Sequence, residues 1–270
     1  MMDGKGKIDI QHPEAWELLV SIGDRRVDYI LYTPSVANSL MMGEVALDDD
    51  SLQALEDAVY DLPLLLNEYR RVRIVVQSQH FMLLPVEASD DDCAQLIRQA
   101  FPEEDGDVET CVLQRNGAKI ACMLPRGMKA FLGRTFNYPD VCHRLLPLCE
   151  FFKEEQGGAA LSRMLLNLYD DGMDMVIYRD GELQCANCYR FDDVQDAAYF
   201  AMNAWRTYGL DQLTDELQLI GDASMRESLT PVLREYVKRV MPAGFPAAAM
   251  RLGRNAMQAP LELIQLALCE

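Results

Sequence analysis

The chain has 270 residues, enough for one large or two medium domains, and half of them are hydrophobic, which suffices for real cores. Its 43 acidic residues against 25 basic ones leave a net charge of −18 and a pI near 4.5, which argues against nucleic acid as a partner, because phosphate binding needs a basic face. No apolar run reaches the ~18 residues of a membrane span, residues 1–7 hold no apolar core for a signal peptide, and the scattered cysteines read as reduced thiols in the cytoplasm.

Residues 1–6 read as a loose tail. Trp16–Ile22 predicts a strand, Gly23-Asp24-Arg25 a turn, Val27–Tyr32 a second strand and Met42–Leu47 a third. Ser51 then caps a helix whose apolar face is Leu52, Leu55, Val59 and Leu62. Arg73–Val76 is the next strand, and Arg73–Pro85 reads as one long strand or as two around Ser78-Gln79. Ser89-Asp90-Asp91-Asp92 starts a helix carrying Ala94, Ile97 and Phe101. Acidic residues there oppose the positive end of the helix dipole, which accounts for the run more simply than a metal site does. Asn116-Gly117 turns a hairpin between Glu109–Leu113 and Lys119–Leu124. Pro125 is expected to open a helix through Phe136, and Val141–Leu146 to form a short strand. The polar, Gly-containing stretch from Glu154 to Gly158 marks a domain boundary.

The second half repeats the order of the first. Met164–Tyr169, Met175–Tyr178 and Glu182–Arg190 are three strands, the last two joined through the hairpin signal Asp180-Gly181. Asp192 is a candidate N-cap for a helix in which Val194, Ala197, Ala201, Ala204, Trp205 and Tyr208 recur at helical spacing. Leu217–Ile220 reads as a buried strand broken by Gly221-Asp222, with a long helix from about Ser224 to Val240. Residues from Met257 to the end read as a helix with Pro260 near its start, serving as a packed cap or as a partner-binding tail, the cap being favoured.

A duplicated three-strand meander followed by helix, strand and helix resembles the actin-like, ribonuclease-H-like ATPase fold. Leu19-Val20-Ser21-Ile22, the stretch from Met123 to Met128, Gly209-Leu210, Leu219-Ile220-Gly221-Asp222 and the ending from Pro260 together resemble an uncharacterised Bacteroidota family known as a domain of unknown function. The resemblance implies an α/β chain of two βββαβα domains around a cleft, at 1–156 and 157–270. It further implies an inserted subdomain at about 89–124, similar to the one in pilus-assembly and cell-division members.

The fold also implies ATP between the domains, where active members place Asp-x-Gly and then Thr or Ser in each first hairpin. The aspartates hold magnesium and its waters, and the glycines let backbone N–H groups approach phosphate. By that alignment Ser21 and Asn167 stand at the aspartate positions, and Gly23 and Tyr169 at the glycine positions. Asp24, Arg25 and Arg26 fall in one phosphate loop and Asp170, Asp171 and Gly172 in the other. Both metal-binding carboxylates are missing, and the loop aspartates put negative charge where phosphate belongs, at on the order of 4 kcal/mol for each like-charge pair at ~4 Å before screening. Gly23 is kept, Asp174 stands where active members often carry an acidic residue, and Gly221-Asp222 stand in the adenosine loop. The degenerate nucleotide set is therefore Ser21, Gly23, Arg25, Asn167, Asp171, Gly172, Asp174, Gly221 and Asp222, with no metal ligands and no catalytic residues assigned.

Other constellations are weaker. Cys185 and Cys188 form a C-x-x-C inside a predicted strand, where residues three apart face opposite ways, so packing explains them better than zinc. His12, His80 and His143 have no ligand spacing, and no P-loop or G-x-S-x-G is present. Basic residues gather at Arg226, Arg234, Lys238, Arg239, Arg251 and Arg254, as a solvated helix face or as a dock for an acidic partner, another copy of this chain included. Three functions stay open: a non-catalytic scaffold or adaptor with an unidentified protein partner, an ATP- or ADP-binding switch without efficient hydrolysis, and a diverged kinase or ATPase.

Overall fold

Apolar residues on both faces of the central strands require a layer on each side, and each half of the chain supplies one. The computed structural model describes residues 10–154, 162–169 and 172–269. In chain order its elements begin with β1 Glu17–Ile22, β2 Arg26–Tyr32, β3 Met41–Ala46, α1 Leu52–Tyr60, β4 Arg71–Val76, β5 Phe81–Pro85 and α2 Asp90–Ala100. Then come β6 Gly106–Leu113, β7 Ala118–Pro125, α3 Met128–Thr135, β8 Asp140–His143 and α4 Leu145–Glu154. The second half holds β9 Arg163–Tyr169, β10 Gly172–Arg179, β11 Glu182–Arg190, α5 Val194–Thr207, β12 Glu216–Gly221, α6 Ala223–Arg234, β13 Arg239–Pro242 and α7 Leu261–Leu268.

Contacts divide the chain into two units. The first holds residues 1–112, 119–144 and 246–270, and the second holds 113–118 and 145–245. The expected division at 156 falls outside the described residues; the units divide after Arg144, so the stretch from Leu145 belongs to the second, and two further segments depart from the expected domains. The C-terminal 246–270 belongs to the first unit, and hairpin tip 113–118 to the second. The tip is held there by Asn116, which accepts from the Tyr178 phenol and donates to Glu150 Oε1 at 3.3 Å.

The first unit has sheet order β3-β2-β1-β4-β8. Leu18, Val20 and Ile22 of β1 point to one face, packing with Leu55 and Val59 of α1 and Phe131 and Leu132 of α3. Glu17, Leu19 and Ser21 point the other way, and α7 lies against β1 there with Leu263, Ile264 and Leu266 buried. Arg73 of β4, its side chain only 6% exposed, holds that helix down. Its guanidinium donates to the carbonyls of Leu266 and Cys269, the latter at 2.9 Å, and so sits at the negative end of the helix dipole. It also reaches Tyr32 Oη at 3.1 Å and Glu17 Oε2 at 3.4 Å, and Tyr32 in turn donates to Glu17 at 2.8 Å. Burial pushes the Tyr32 phenol up to about 12, which keeps it a donor at neutral pH.

Between β4 and α3 lies an inserted three-stranded sheet, order β5-β7-β6, with its own small core of Leu84, Cys93, Ile97, Ala121 and Met123. It starts at Phe81, earlier than the expected residue 89, because the stretch after Arg73 is two strands in two sheets. Ser89 caps α2, accepting from Asp92 N at 3.1 Å.

The second unit repeats the first in order, β11-β10-β9-β12-β13. Met164, Leu166 and Leu168 share a core with Ala197, Ala201 and Trp205 of α5 and Leu229 and Leu233 of α6. The opposite face carries Arg163 and Tyr178 against α4. Phe152 packs edge-on to Tyr178 and under the Arg163 guanidinium, 4.6 Å from its ring centre.

Several expectations need correction. Pro125 ends β7 and does not open a helix, because α3 starts only after Gly127 has turned the chain at φ 86°. The strand expected at Val141–Leu146 stops at His143, and the unforeseen helix α4 begins at Leu145. The cap of α5 is Asp193 and not Asp192, accepting from Gln195 N at 2.8 Å. The long helix to Val240 ends at Arg234, and Arg239–Pro242 becomes the edge strand that β12 pairs in parallel. Both C-x-x-C thiols are buried, with Cys185 in the core of the second unit.

Replacing Arg73 with Ala leaves the buried Glu17 carboxylate only Tyr32 and the exposed Arg70, and should cost about 3 kcal/mol in urea unfolding. Arg71→Ala, whose partner Asp140 is exposed, should cost under about 1 kcal/mol. Equal losses would show that Arg73 does not hold this face of the sheet.

Candidate functional site

The tip of the β1–β2 hairpin holds the first set of expected phosphate-loop residues. Ser21 stands opposite Asp28 across the two strands and is buried at 1% exposure. Its hydroxyl donates to Glu262 Oε1 at 3.0 Å, so a carboxylate from α7 covers the position expected to match a metal-binding aspartate. Gly23 N donates to Arg26 O at 2.9 Å, closing the turn. A side chain at Gly23 would meet Gln77 at 3.1 Å, so its open space is filled by that amide. Arg25 is exposed, and its carbonyl accepts from Leu47 N at 2.8 Å. Asp28 accepts from Arg26 Nε at 2.8 Å. Burial raises the Asp28 carboxyl above the ordinary aspartate range, with Arg26 pulling the other way.

The second unit places Asn167 and Asp174 in the same register, with Asn167 Nδ2 donating to Asp174 Oδ2 at 3.1 Å. Gly221 has φ 90°, and a side chain there would come within 2.1 Å of Leu168 O and 2.9 Å of Asn167 Oδ1. Only glycine fits so close to a neighbouring strand. Asp222 N donates to Leu168 O at 2.8 Å, and its carboxylate caps α6 by accepting from Met225 N at 2.7 Å. Gly172 leaves room for the Tyr169 ring, which a side chain there would meet at 2.7 Å. Asp170 and Asp171 lie outside the described residues.

The fold thus brings Asn167, Asp174, Gly221 and Asp222 together, and separately Ser21 and Gly23. A phosphate cradle needs N–H groups left open to the ligand, whereas those of Gly23 and Asp222 bond to neighbouring backbone carbonyls. The space at the glycines is taken by Gln77, Tyr169 and β9. Among the described residues no group of three or more His, Cys, Asp or Glu side chains could hold a metal ion. Two residues escaped the sequence reading. Glu262 had no local signal, because only tertiary contact brings it to Ser21. Asp28 had one, since it follows Ser21 by the same seven residues that separate Asn167 from Asp174.

A family model described as "Protein of unknown function (DUF3822)" matches residues 5–240. The chain belongs to this family. A Bacteroides thetaiotaomicron protein of unknown function with an actin-like ATPase fold superposes on it with TM-score 0.80, at 22% identity, over 98% of this chain and 100% of that one. The cytoplasmic domain of EpsL, an inner membrane component of the type II secretion system of Vibrio cholerae, gives TM-score 0.51 at 15% identity over 94% and 96%. A chain of the PilM–PilN type IV pilus biogenesis complex gives 0.51 at 13% over 95% and 98%. No curated protein matches. These likenesses show that the DUF3822 chain has the duplicated actin-like ATPase fold.

The raised Asp28 carboxyl has a consequence for stability. An acid whose folded pKa lies above its unfolded one adds stability at low pH, and that contribution is lost as pH rises through the folded value. Asp28→Asn should therefore gain stability relative to the parent protein as pH rises from 3 toward 7 in urea titrations. A parent–variant difference that stays constant over that range would refute the assignment.

Proposed function

We propose that this protein is a non-catalytic actin-like adaptor, a fold that has kept its two domains and given up phosphate chemistry to hold a protein partner. The observation that carries the reading is Ser21 donating to Glu262. A buried hydroxyl and a carboxylate from the chain's own last helix stand where a metal-binding aspartate is needed, and that carboxylate repels phosphate. The closed N–H groups of Gly23 and Asp222 support it independently. So do the settings of the similar folds, a secretion-system component and a pilus biogenesis complex, in which such modules work inside assemblies. Among the described residues no helix is long and apolar enough to cross a membrane. We place the protein in the reducing cytoplasm, which suits buried cysteines such as Cys93, Cys122 and Cys142.

One observation favours a second reading, a nucleotide-held switch without efficient hydrolysis. Both hairpins carry a buried carboxylate, Asp28 and Asp174, directly across from the degenerate position. Calorimetric titration with ATP, ADP and AMP, each with and without magnesium, separates the two. The adaptor predicts no heat and no thermal shift at millimolar nucleotide. Micromolar binding that Asp174→Asn abolishes would overturn it in favour of the switch, and turnover of the bound ATP would make the protein a diverged ATPase or kinase.

A further inference from the structure

The second unit has a groove of about 660 Å³ between α6 and the edge strand β13. Its apolar lining comes from Leu219, Pro231, Val240 and Met241. Its polar wall comes from α6, where Arg226, Thr230 and Arg234, spaced four residues apart, share one face of the helix and Glu227 lines the groove beside Arg226. Each guanidinium makes one backbone bond that fixes its place. Arg226 Nε donates to Gly221 O at 3.2 Å and Arg234 Nη2 to Val240 O at 3.3 Å. Neither is paired with a carboxylate among the described residues, although acidic residues outnumber basic ones 43 to 25 in this chain. Their remaining donors are available to a ligand.

We propose that this groove docks a short acidic segment of a partner protein, with two carboxylates about 12 Å apart and apolar residues between them. The scale follows from α6, because eight residues at 1.5 Å rise put the Cα atoms of the two arginines about 12 Å apart. An extended peptide with acidic residues at i and i+4 spans about 13 Å, and its intervening apolar side chains meet Val240 and Met241. Strand addition is not the mode. Arg234 already caps the Val240 carbonyl, and Pro242 at the end of β13 has no N–H to give. Glu227 on the rim sets the sign of discrimination by repelling a third acidic residue near Arg226. The occupant is a different protein. A second copy of this chain approaches with its own charge of −18 and is repelled as a whole.

The inference rests on the adaptor reading for its purpose but not for its test, which contains no nucleotide. Nucleotide binding would overturn the adaptor and leave the groove standing. The probe is a fluorescein-labelled peptide with two glutamates four residues apart around Leu-Val-Leu, followed by anisotropy at low salt on the full chain. Replacing either glutamate with glutamine should weaken binding on the order of tenfold, as should moving the pair to i and i+2. Arg226→Gln with Arg234→Gln should abolish binding at unchanged circular dichroism, while Arg251→Gln, exposed and in the other unit, should leave it intact. Binding indifferent to glutamate spacing, or no binding at millimolar peptide, would overturn the proposal. So would sedimentation showing a dimer that the double variant dissolves. The peptide series on the parent protein decides the matter even if the double variant does not fold.

Discussion

One buried guanidinium organises the first unit. Desolvating a charge costs several kcal/mol unless acceptors replace its water, and Arg73 finds them in the carbonyls of Leu266 and Cys269, the Tyr32 phenol and the Glu17 carboxylate. The two carbonyls are at the C-terminal end of α7, so the same bond that satisfies the charge fixes one end of the helix. The other end then follows from length. Arg73 is in register with Leu19, about 7 Å along β1 from Ser21, and Glu262 to Leu266 spans about 6 Å of α7, so Glu262 comes to rest at Ser21 when Leu266 rests at Arg73. The covering of the sheet and the closing of the degenerate site are thus one event.

The second unit solves the same problem with different residues. Tyr32 and Tyr178 hold the same position in the two sheets, each at the end of the strand opposite the start of β1 or β9. In the first unit the phenol completes a charged cluster beneath α7. In the second it donates to Cys149 O at 3.1 Å, packs against Phe152 and reaches Asn116 of the hairpin tip. The inner register of both hairpins is also shared, Ser21 with Asp28 and Asn167 with Asp174. Duplication preserved the sheet geometry, because shifting a strand by one residue would turn its whole apolar set to the wrong face. It left the polar residues at the strand ends free to diverge.

Glycine shows how one residue type serves opposite ends. In a phosphate loop it clears space for a ligand. Here Gly221 clears space for the backbone of β9, and Gly172 for the ring of Tyr169. Both still meet a steric demand, and neither leaves an opening. A motif read only as a spacing cannot distinguish the two uses, because the deciding fact is which atoms fill the vacated volume.

Much was legible in the residues alone. Alternation and turn chemistry place the two meanders, and Asp180-Gly181, at φ 53° and 83°, makes the hairpin its dipeptide announces. Ser51 and Ser89 cap the helices they precede, because a capping hydroxyl acts within its own first turn. That positions 21 and 167 hold Ser and Asn is read directly from the sequence. Elements whose state depends on distant partners were not legible. Arg239–Pro242 carries a helix-like charge pattern but becomes a strand because β12 offers it a parallel edge. Leu145–Glu154 looks like a continuation of a strand but forms the helix covering the second sheet. That Glu262 meets Ser21, 241 residues away, is a contact that no local pattern encodes. Local propensity acts over a few residues, while burial of a charge and coverage of a sheet face are settled only when the whole chain has found its layers.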